Sequence, residues 1–136
     1  MNRIKIYIVL FFLALCMQQS YAQSYKFRTS GYSVLEKNER GKWGKWSDLE
    51  LVNVLVVLDT DKNRIVVNSQ ETQVYQILDY IAREENDTDI VYSFVCKDLK
   101  GNDTKLSIIT RKKQDNRKQL YINFNDRIIV YNIFTI

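Results

Sequence analysis

Residues 119–134, QLYINFNDRIIVYNIF, predict two antiparallel β-strands joined by a tight turn. The two halves, 119–124 and 127–134, are rich in Ile, Tyr and Phe, which fit the pleated surface of a sheet. Asn125-Asp126 stands between them, and a link of this length closes a β-hairpin. The C-terminal part of the chain therefore predicts a hairpin.

The same succession of short apolar runs and polar turns extends towards the N-terminus. Residues 59–63 predict a turn, because Asp and Asn side chains bond their own backbone. In the first run the alternation changes register around Ser30-Gly31, where we expect a β-bulge. Besides the hairpin, strands are predicted over residues 25–35, 49–58, 64–68, 89–97 and 104–111.

Residues 72–83 fit two kinds of secondary structure. Counted from Val74, apolar residues fall at i, i+3, i+4 and i+7, which is the spacing of a helix face. From Tyr75 to Ile81 the same stretch also has the period of two that is typical of a strand. The Tyr and Ile content and the neighbouring strands favour the strand.

With residues 72–83 counted as a strand, the chain has eight strands joined by short links. Short links between consecutive strands indicate an antiparallel meander. We therefore predict an all-β fold, a single antiparallel meander of about eight strands that forms a small barrel or sandwich. Eight strands leave an interior for side chains or for one small ligand. If residues 72–83 are a helix, the alternative is an α+β fold, an open antiparallel sheet with one helix.

Residues 1–22 have the pattern of a secretory signal peptide. Arg3 and Lys5 form a positive start, residues 6–17 are almost entirely apolar, and Ser20-Tyr21-Ala22 has small residues where signal peptidase reads them. An apolar run of this length is too short to span a hydrocarbon core of about 30 Å. We predict cleavage before Gln23, no transmembrane span, and a mature domain over residues 23–136 in the periplasm or outside the cell.

Composition excludes several kinds of catalytic site. The chain has no His, so it has no Ser-His-Asp triad, Cys-His pair or imidazole zinc site. Signal cleavage would leave Cys96 as the only thiol, on an apolar strand where a buried thiol is expected rather than a nucleophile. The carboxylates stand mostly in turns beside Lys or Arg. We predict a protein that is not an enzyme and has no cofactor, with a carboxylate-based hydrolase as the minor alternative.

Two charged clusters resemble ion sites but lack essential parts. Asp59-x-Asp61-x-Asn63 opens like a calcium loop, yet Arg64 and Gln70 stand where the loop needs Gly and Glu. The basic residues between 111 and 118 suit a solvated turn, because signal cleavage lowers the net charge from +4 to +2 and export separates the protein from nucleic acid. The sequence predicts no metal site and no nucleic-acid partner.

Four motifs are distributed over the mature chain: NVLVV at 53–57, QETQVYQI at 70–77, YSFVC at 92–96 and LYI at 120–122. They are similar to motifs of small exported proteins of gut-type Gram-negative bacteria. This resemblance favours a strand for residues 73–75 and carries over no catalytic residue. Many such proteins have a second Cys shortly after the position of Gly101, where this chain has Asn102-Asp103-Thr104-Lys105.

Gly41-Lys42-Trp43 and Gly44-Lys45-Trp46 are two G-x-W tripeptides. In this they resemble lipocalins, a family of ligand-binding β-barrels with a G-x-W pattern. They stand in the polar stretch 38–47 after the first strand, so the resemblance implies a similar architecture rather than a shared site.

The candidate ligand-binding residues are aromatic. The two Trp residues either fold back and plug one end of the barrel or stand exposed, where they would stack on a sugar or close a pocket mouth. Tyrosines in the middle of strands either fill the core or line a small-molecule pocket. The candidates are Trp43, Trp46, Tyr75, Tyr92, Tyr121 and Tyr131.

The leading functional prediction is non-catalytic binding of a small apolar or amphipathic ligand. The alternative is a protein-interaction or self-association module of the cell envelope. Residues 49–58 and 127–134 are apolar on both faces, whereas a half-exposed strand alternates apolar and polar residues. Their outer faces therefore require a cover: a terminal segment, a second layer or a partner subunit, either a second copy or an envelope protein.

Overall fold

The computed structural model describes residues 2–16 and 24–136, with one helix followed by nine strands. The predicted cleavage site at 20–22 lies outside the described residues. Within the described ranges, no helix is long and apolar enough to cross a membrane. The elements are α1 (Asn2–Cys16), β1 (Ser24–Glu36), β2 (Glu50–Leu51), β3 (Leu55–Asp59), β4 (Arg64–Val67), β5 (Gln73–Glu85), β6 (Asp89–Lys97), β7 (Asp103–Arg111), β8 (Arg117–Asn123) and β9 (Arg127–Thr135).

The strands form a closed antiparallel barrel. From β3 to β9 each strand pairs with the next, and β1 pairs with both β3 and β9, which closes the ring. The short β2 lies on the same edge of β1 as β3, so the two are pieces of one interrupted strand. The ring therefore has eight strands, and the prediction of a small all-β barrel is confirmed.

Strand β5 resolves the ambiguity of residues 72–83. The segment is a strand, and the α+β alternative is wrong. The register between β5 and β6 shifts between Ile77 and Asp79, so Leu78 is an extra residue in a bulge. Tyr75 and Ile77 are buried before the bulge, and the ring of Tyr80 packs against Phe94 after it. A bulge that offsets the period of two explains why the apolar spacing imitates a helix.

Inward side chains from the whole ring form one continuous apolar cluster. Burying such a side chain contributes about 1.5–3 kcal/mol, so this cluster is the main source of stability. The interior expected for side chains or a ligand is thus occupied by side chains of the protein. Its fully buried members include Ile65, Leu106, Leu120 and Ile122.

The predicted strand at 49–58 is wrong in its middle, because residues 52–54 form no strand. There the Thr29 hydroxyl donates to the Val52 carbonyl oxygen at 2.8 Å and accepts from the Val54 N–H at 2.9 Å. These bonds satisfy backbone groups that a regular ladder would pair. The register of β1 against β9 also shifts between Thr29 and Gly31, which confirms the predicted bulge.

Gly31 lets the returning chain approach β1 closely. A Cβ atom at this position would lie 2.9 Å from Leu49 Cδ1 and 3.0 Å from the Glu50 carbonyl oxygen. Further along, the Ser47 N–H donates to the Val34 carbonyl oxygen at 2.8 Å, and the Val34 N–H donates to Ser47 Oγ at 2.8 Å. Residues 47–51 are thereby held along the edge of β1.

Candidate functional site

The larger recess is an open cleft at one end of the barrel, here called the mouth cleft. Its volume is about 900 Å³. Three connections surround it: the β4–β5 connection, the β6–β7 turn and the β8–β9 turn. Tyr75, Phe124 and Ile129 contribute apolar surface to its lining.

Hydrogen bonds hold the floor of the mouth cleft in place. Tyr75 is 2% exposed, and its hydroxyl donates to Gln73 Oε1 at 2.6 Å. The Gln73 amide in turn donates to Ser69 Oγ at 3.0 Å and to the Tyr131 hydroxyl at 3.3 Å. Burial raises the pKa of Tyr75, so its phenol keeps its proton at neutral pH. This floor is rigid and uncharged.

An arginine covers the aromatic ring nearest the β8–β9 turn. The guanidinium carbon of Arg127 lies 4.4 Å from the centre of the Phe124 ring. The Phe124 ring centre is 6.2 Å from that of Tyr75. The wall of the cleft therefore combines apolar surface with the cation of Arg127, an arrangement that suits a ligand with both apolar and polar parts.

Two of the four acidic residues that line the cleft, Asp98 and Asp103, are engaged in local structure. Asp98 accepts hydrogen bonds from the backbone N–H groups of Asn102 at 2.8 Å and Lys100 at 3.0 Å, which close the β6–β7 turn. The bond from the Asn102 backbone is the main cause that lowers the pKa of Asp98. Asp103 pairs with Lys97 at 3.3 Å. These contacts make both side chains parts of the turn.

The smaller recess lies on the outside of the barrel and has a volume of about 220 Å³. We call it the outer-wall notch. Trp46 and Leu49 lie over outward residues of β1, β8 and β9, so that Val130 is only 8% exposed although it points away from the core. The outer face of residues 127–134, which was expected to need a cover, is thus covered here by a loop of the same chain. Outward side chains at the notch are Ser33, Gln119, Tyr121, Val130 and Asn132.

A row of hydrogen bonds crosses the strands beside the notch. Arg111 pairs with Asp89 at 3.1 Å and donates to Gln119 Oε1 at 3.2 Å and to the Tyr121 hydroxyl at 3.0 Å. Gln119 Nε2 then donates to Asn132 Oδ1 at 3.1 Å. The polar side chains of the notch are therefore held in one arrangement.

The two tryptophans do not plug the barrel. Trp43 is 45% exposed and Trp46 47% exposed, and both lie outside the buried core. Lys37 Nζ lies 4.8 Å from the centre of the Trp43 ring. A backbone bond from Gly44 N–H to the Glu36 carbonyl oxygen, at 2.8 Å, holds the loop along β1 and away from the interior.

The four predicted tyrosines are divided among three places. Tyr75 lines the mouth cleft, and Tyr131 is buried behind it. Tyr121 lines the outer-wall notch together with Trp46, which is the only predicted pair that the notch brings together. Tyr92 stands apart from both recesses, with the Arg83 guanidinium carbon 5.9 Å from its ring centre.

Sequence reasoning missed important residues in both recesses. Phe124 and Arg127 flank the predicted Asn125-Asp126 link, so the hairpin already placed them at an end of the barrel. Gln119 and Asn132 gave no such signal, because they become neighbours only through the register of β8 against β9.

Two observations concern the Cys96 thiol and the possible metal ligands of the described ranges. Burial raises the pKa of the Cys96 thiol to about 12, which keeps it protonated and unreactive. Within residues 2–16 and 24–136, no group of three or more His, Cys, Asp or Glu side chains is arranged to hold a metal ion.

Comparison with known proteins gives no further assignment. No family model matches the chain, and no curated protein or solved structure matches it. The resemblances to small exported proteins and to lipocalins stay predictions.

Proposed function

We propose that this protein is an exported, non-catalytic binding protein that holds a small amphipathic ligand in the mouth cleft. The observation that carries the proposal is the rigid floor of Tyr75 and Phe124 beneath three polar connections. A cleft of about 900 Å³ is within the range of about 300–1,000 Å³ that is typical of small-molecule sites.

The filled core determines which kind of ligand fits. A wholly apolar ligand would need to be enclosed by the barrel, away from water. Inward side chains of the protein already occupy the interior, so no ligand can be enclosed there. In the cleft it would place an apolar face on Phe124 and Ile129 and a polar part beside the turns. We therefore favour an amphipathic ligand over a purely apolar one.

Export forms part of this proposal. Arg3 and Lys5 lie in the first part of helix α1, and the residues that follow them in this helix are almost all apolar. A positive start followed by an apolar stretch is the pattern of a secretory signal. The mature domain would then meet its ligand in the periplasm or outside the cell.

Ligand carriage is tested by native mass spectrometry of the protein purified from periplasm without denaturation. We expect the monomer to carry additional mass that solvent extraction removes and whose composition is amphipathic. A preparation without additional mass, together with no fluorescence enhancement of anilinonaphthalene sulfonate, would contradict the proposal.

The location of the site is tested with two neighbouring isoleucines of β9. Ile129 lines the mouth cleft, whereas Ile128 is on the opposite face. We expect Ile129→Gln to weaken binding of anilinonaphthalene sulfonate about tenfold, because the probe loses apolar contact, and Ile128→Gln to leave it unchanged. Equal binding by both folded variants would place the probe elsewhere.

Self-association is the second candidate function, and one observation favours it. Residues 43–51 expose four large apolar side chains, of which Leu51 is 86% exposed. Exposed apolar patches of this kind mark interaction surfaces. A bare dimer in the same native mass spectra, converted to monomer by Leu51→Ser, would support this function, and a bare monomer would contradict it.

A further inference from the structure

We propose that the outer-wall notch is a second binding site, separate from the mouth cleft, and that it takes a single neutral sugar ring. The notch lies on the outside of β1, β8 and β9, whereas the mouth cleft is at the end of the barrel. The two recesses share no lining residue, so this proposal does not depend on the one for the mouth cleft.

Trp46 supplies an aromatic surface at the notch. Nearly half of its surface is open to solvent, and a backbone bond from Ser47 to Val34 holds the adjacent residue in place. The face of an indole is electron-rich, and the C–H face of a sugar ring is weakly positive, so the two are complementary. Leu49 extends the apolar surface beside it.

Three residues that line the notch together with Trp46 carry hydrogen-bond donors that no protein group uses within the described ranges. Asn132 Oδ1 accepts from Gln119, which leaves the Asn132 NH₂ group without a partner among the described residues. The Tyr121 hydroxyl accepts from Arg111 and keeps its own proton to donate. The Ser33 hydroxyl also has no partner among the described residues. Hydroxyl groups of a sugar can accept from all three.

The charge of the notch indicates a neutral ligand. Its lining contains no Asp, Glu, Lys or Arg. Arg111, which bonds two of the lining side chains, is paired with Asp89 at 3.1 Å and donates to Gln119 and Tyr121. A charged ligand would therefore lose hydration without gaining an opposite charge.

The size of the notch limits the ligand to one ring. Its volume of about 220 Å³ is below the range of about 300–1,000 Å³ that encloses drug-sized ligands. A ligand with so few atoms is held weakly, and we expect a dissociation constant on the order of 1 mM. The end of a longer glycan would present the same ring.

The experiment uses the Trp43→Phe variant, which leaves Trp46 as the only Trp of the chain. The indole N–H of Trp46 is followed by NMR during titration with the methyl glycosides of glucose, galactose, mannose and N-acetylglucosamine. We expect a saturable shift with at least one of them. No saturable shift with any of the four would overturn the proposal.

Asn132→Asp tests whether the Asn132 NH₂ group donates to the sugar. The carboxylate still accepts from Gln119, so the local hydrogen bond is kept while the NH₂ donor is lost. We expect the folded variant to bind the glycoside about tenfold more weakly, because one hydrogen bond to the ligand is removed. Unchanged affinity would overturn the assignment of the donor and with it the proposal.

Two controls separate the sites. Ile129→Gln, in the mouth cleft, is expected to bind the glycoside as the parent protein does. Trp46→Ala, read from the backbone amide of Tyr121, is expected to lose the saturable shift. If instead Ile129→Gln abolishes glycoside binding, or the glycoside displaces anilinonaphthalene sulfonate, the sugar occupies the mouth cleft and the notch is not a site.

Discussion

Two parts of the barrel wall are built differently. In the regular wall, which comprises β6 to β9, the strands pair residue for residue, and β6 and β7 form nine successive pairs from Asp89↔Arg111 to Lys97↔Asp103. In the seam, where residues 29–34 of β1 meet residues 47–54, the partner strand is interrupted, and the side chains of Thr29 and Ser47 bond the backbone.

The difference explains where the outer-wall notch comes from. Backbone groups of the regular wall satisfy one another, so its side chains alternate between core and surface without interruption. In the seam the returning chain departs from the ladder, and Trp46 and Leu49 lie across the outside of the neighbouring strands. An interruption of the sheet thus creates a recess that a regular barrel lacks.

The largest expected effect belongs to the regular wall. Leu120 is fully buried in β8, so Leu120→Ala leaves a cavity and should lower the free energy of unfolding by about 2–5 kcal/mol. Leu51→Ala in the seam makes the same chemical change at an exposed residue and should alter the free energy of unfolding by less than about 0.5 kcal/mol. Urea denaturation measures both, and similar losses would mean that the two leucines are equally buried in solution.

A smaller effect is expected where a side chain replaces backbone pairing in the seam. Thr29→Val leaves the Val54 N–H and the Val52 carbonyl without their partner and should lower the free energy of unfolding by about 2 kcal/mol. Thr29→Ser keeps the hydroxyl and loses one methyl group, so less than about 1 kcal/mol is expected. Equal losses for Val and Ser would show that the hydroxyl bonds do not stabilise the seam.

The smallest effect tested, between pH 8 and pH 10, is a loss of stability that arises in the regular wall. Burial raises the pKa of Cys96 from 9.0 to about 12, so above pH 9 the unfolded chain releases a proton that the folded chain keeps. This contribution to stability is complete below pH 9 and falls by about 1.4 kcal/mol per pH unit as pH rises towards 12. Between pH 8 and pH 10, the free energy of unfolding measured by urea denaturation should decrease less for Cys96→Ala than for the parent protein. Equal decreases in the two proteins would contradict the assignment of this pH dependence to Cys96.

Strands of the regular wall were predictable from the sequence because their signal is local. The predicted strand 89–97 coincides with β6, and 127–134 ends one residue before β9 does. Each has apolar residues in regular succession between polar turns, and the nearest neighbours along the chain also become the nearest neighbours in the sheet. The hairpin at Asn125-Asp126 was also predictable from local sequence, and the Phe124 N–H donates to the Arg127 carbonyl oxygen at 2.9 Å to close it.

Residues of the seam and of the recesses depend on contacts between distant parts of the chain. Nothing in the run 49–58 shows that it breaks at 52–54, because the cause is the hydroxyl of Thr29, more than twenty residues earlier. The sequence proposed Trp46 and Tyr121 as separate candidates, and only the folded loop places them at one notch.

Local periodicity and turn chemistry are enough to predict the β class, the number of strands around the ring, the bulge near Gly31 and the turns. Only the folded chain shows that side chains fill the interior, that the tryptophans lie outside, and which polar groups meet at the notch. Those outcomes depend on register and on ring closure, through which β1 meets β9 from the opposite end of the chain. No local pattern of residues predicts the pairing of two strands that are so far apart along the chain.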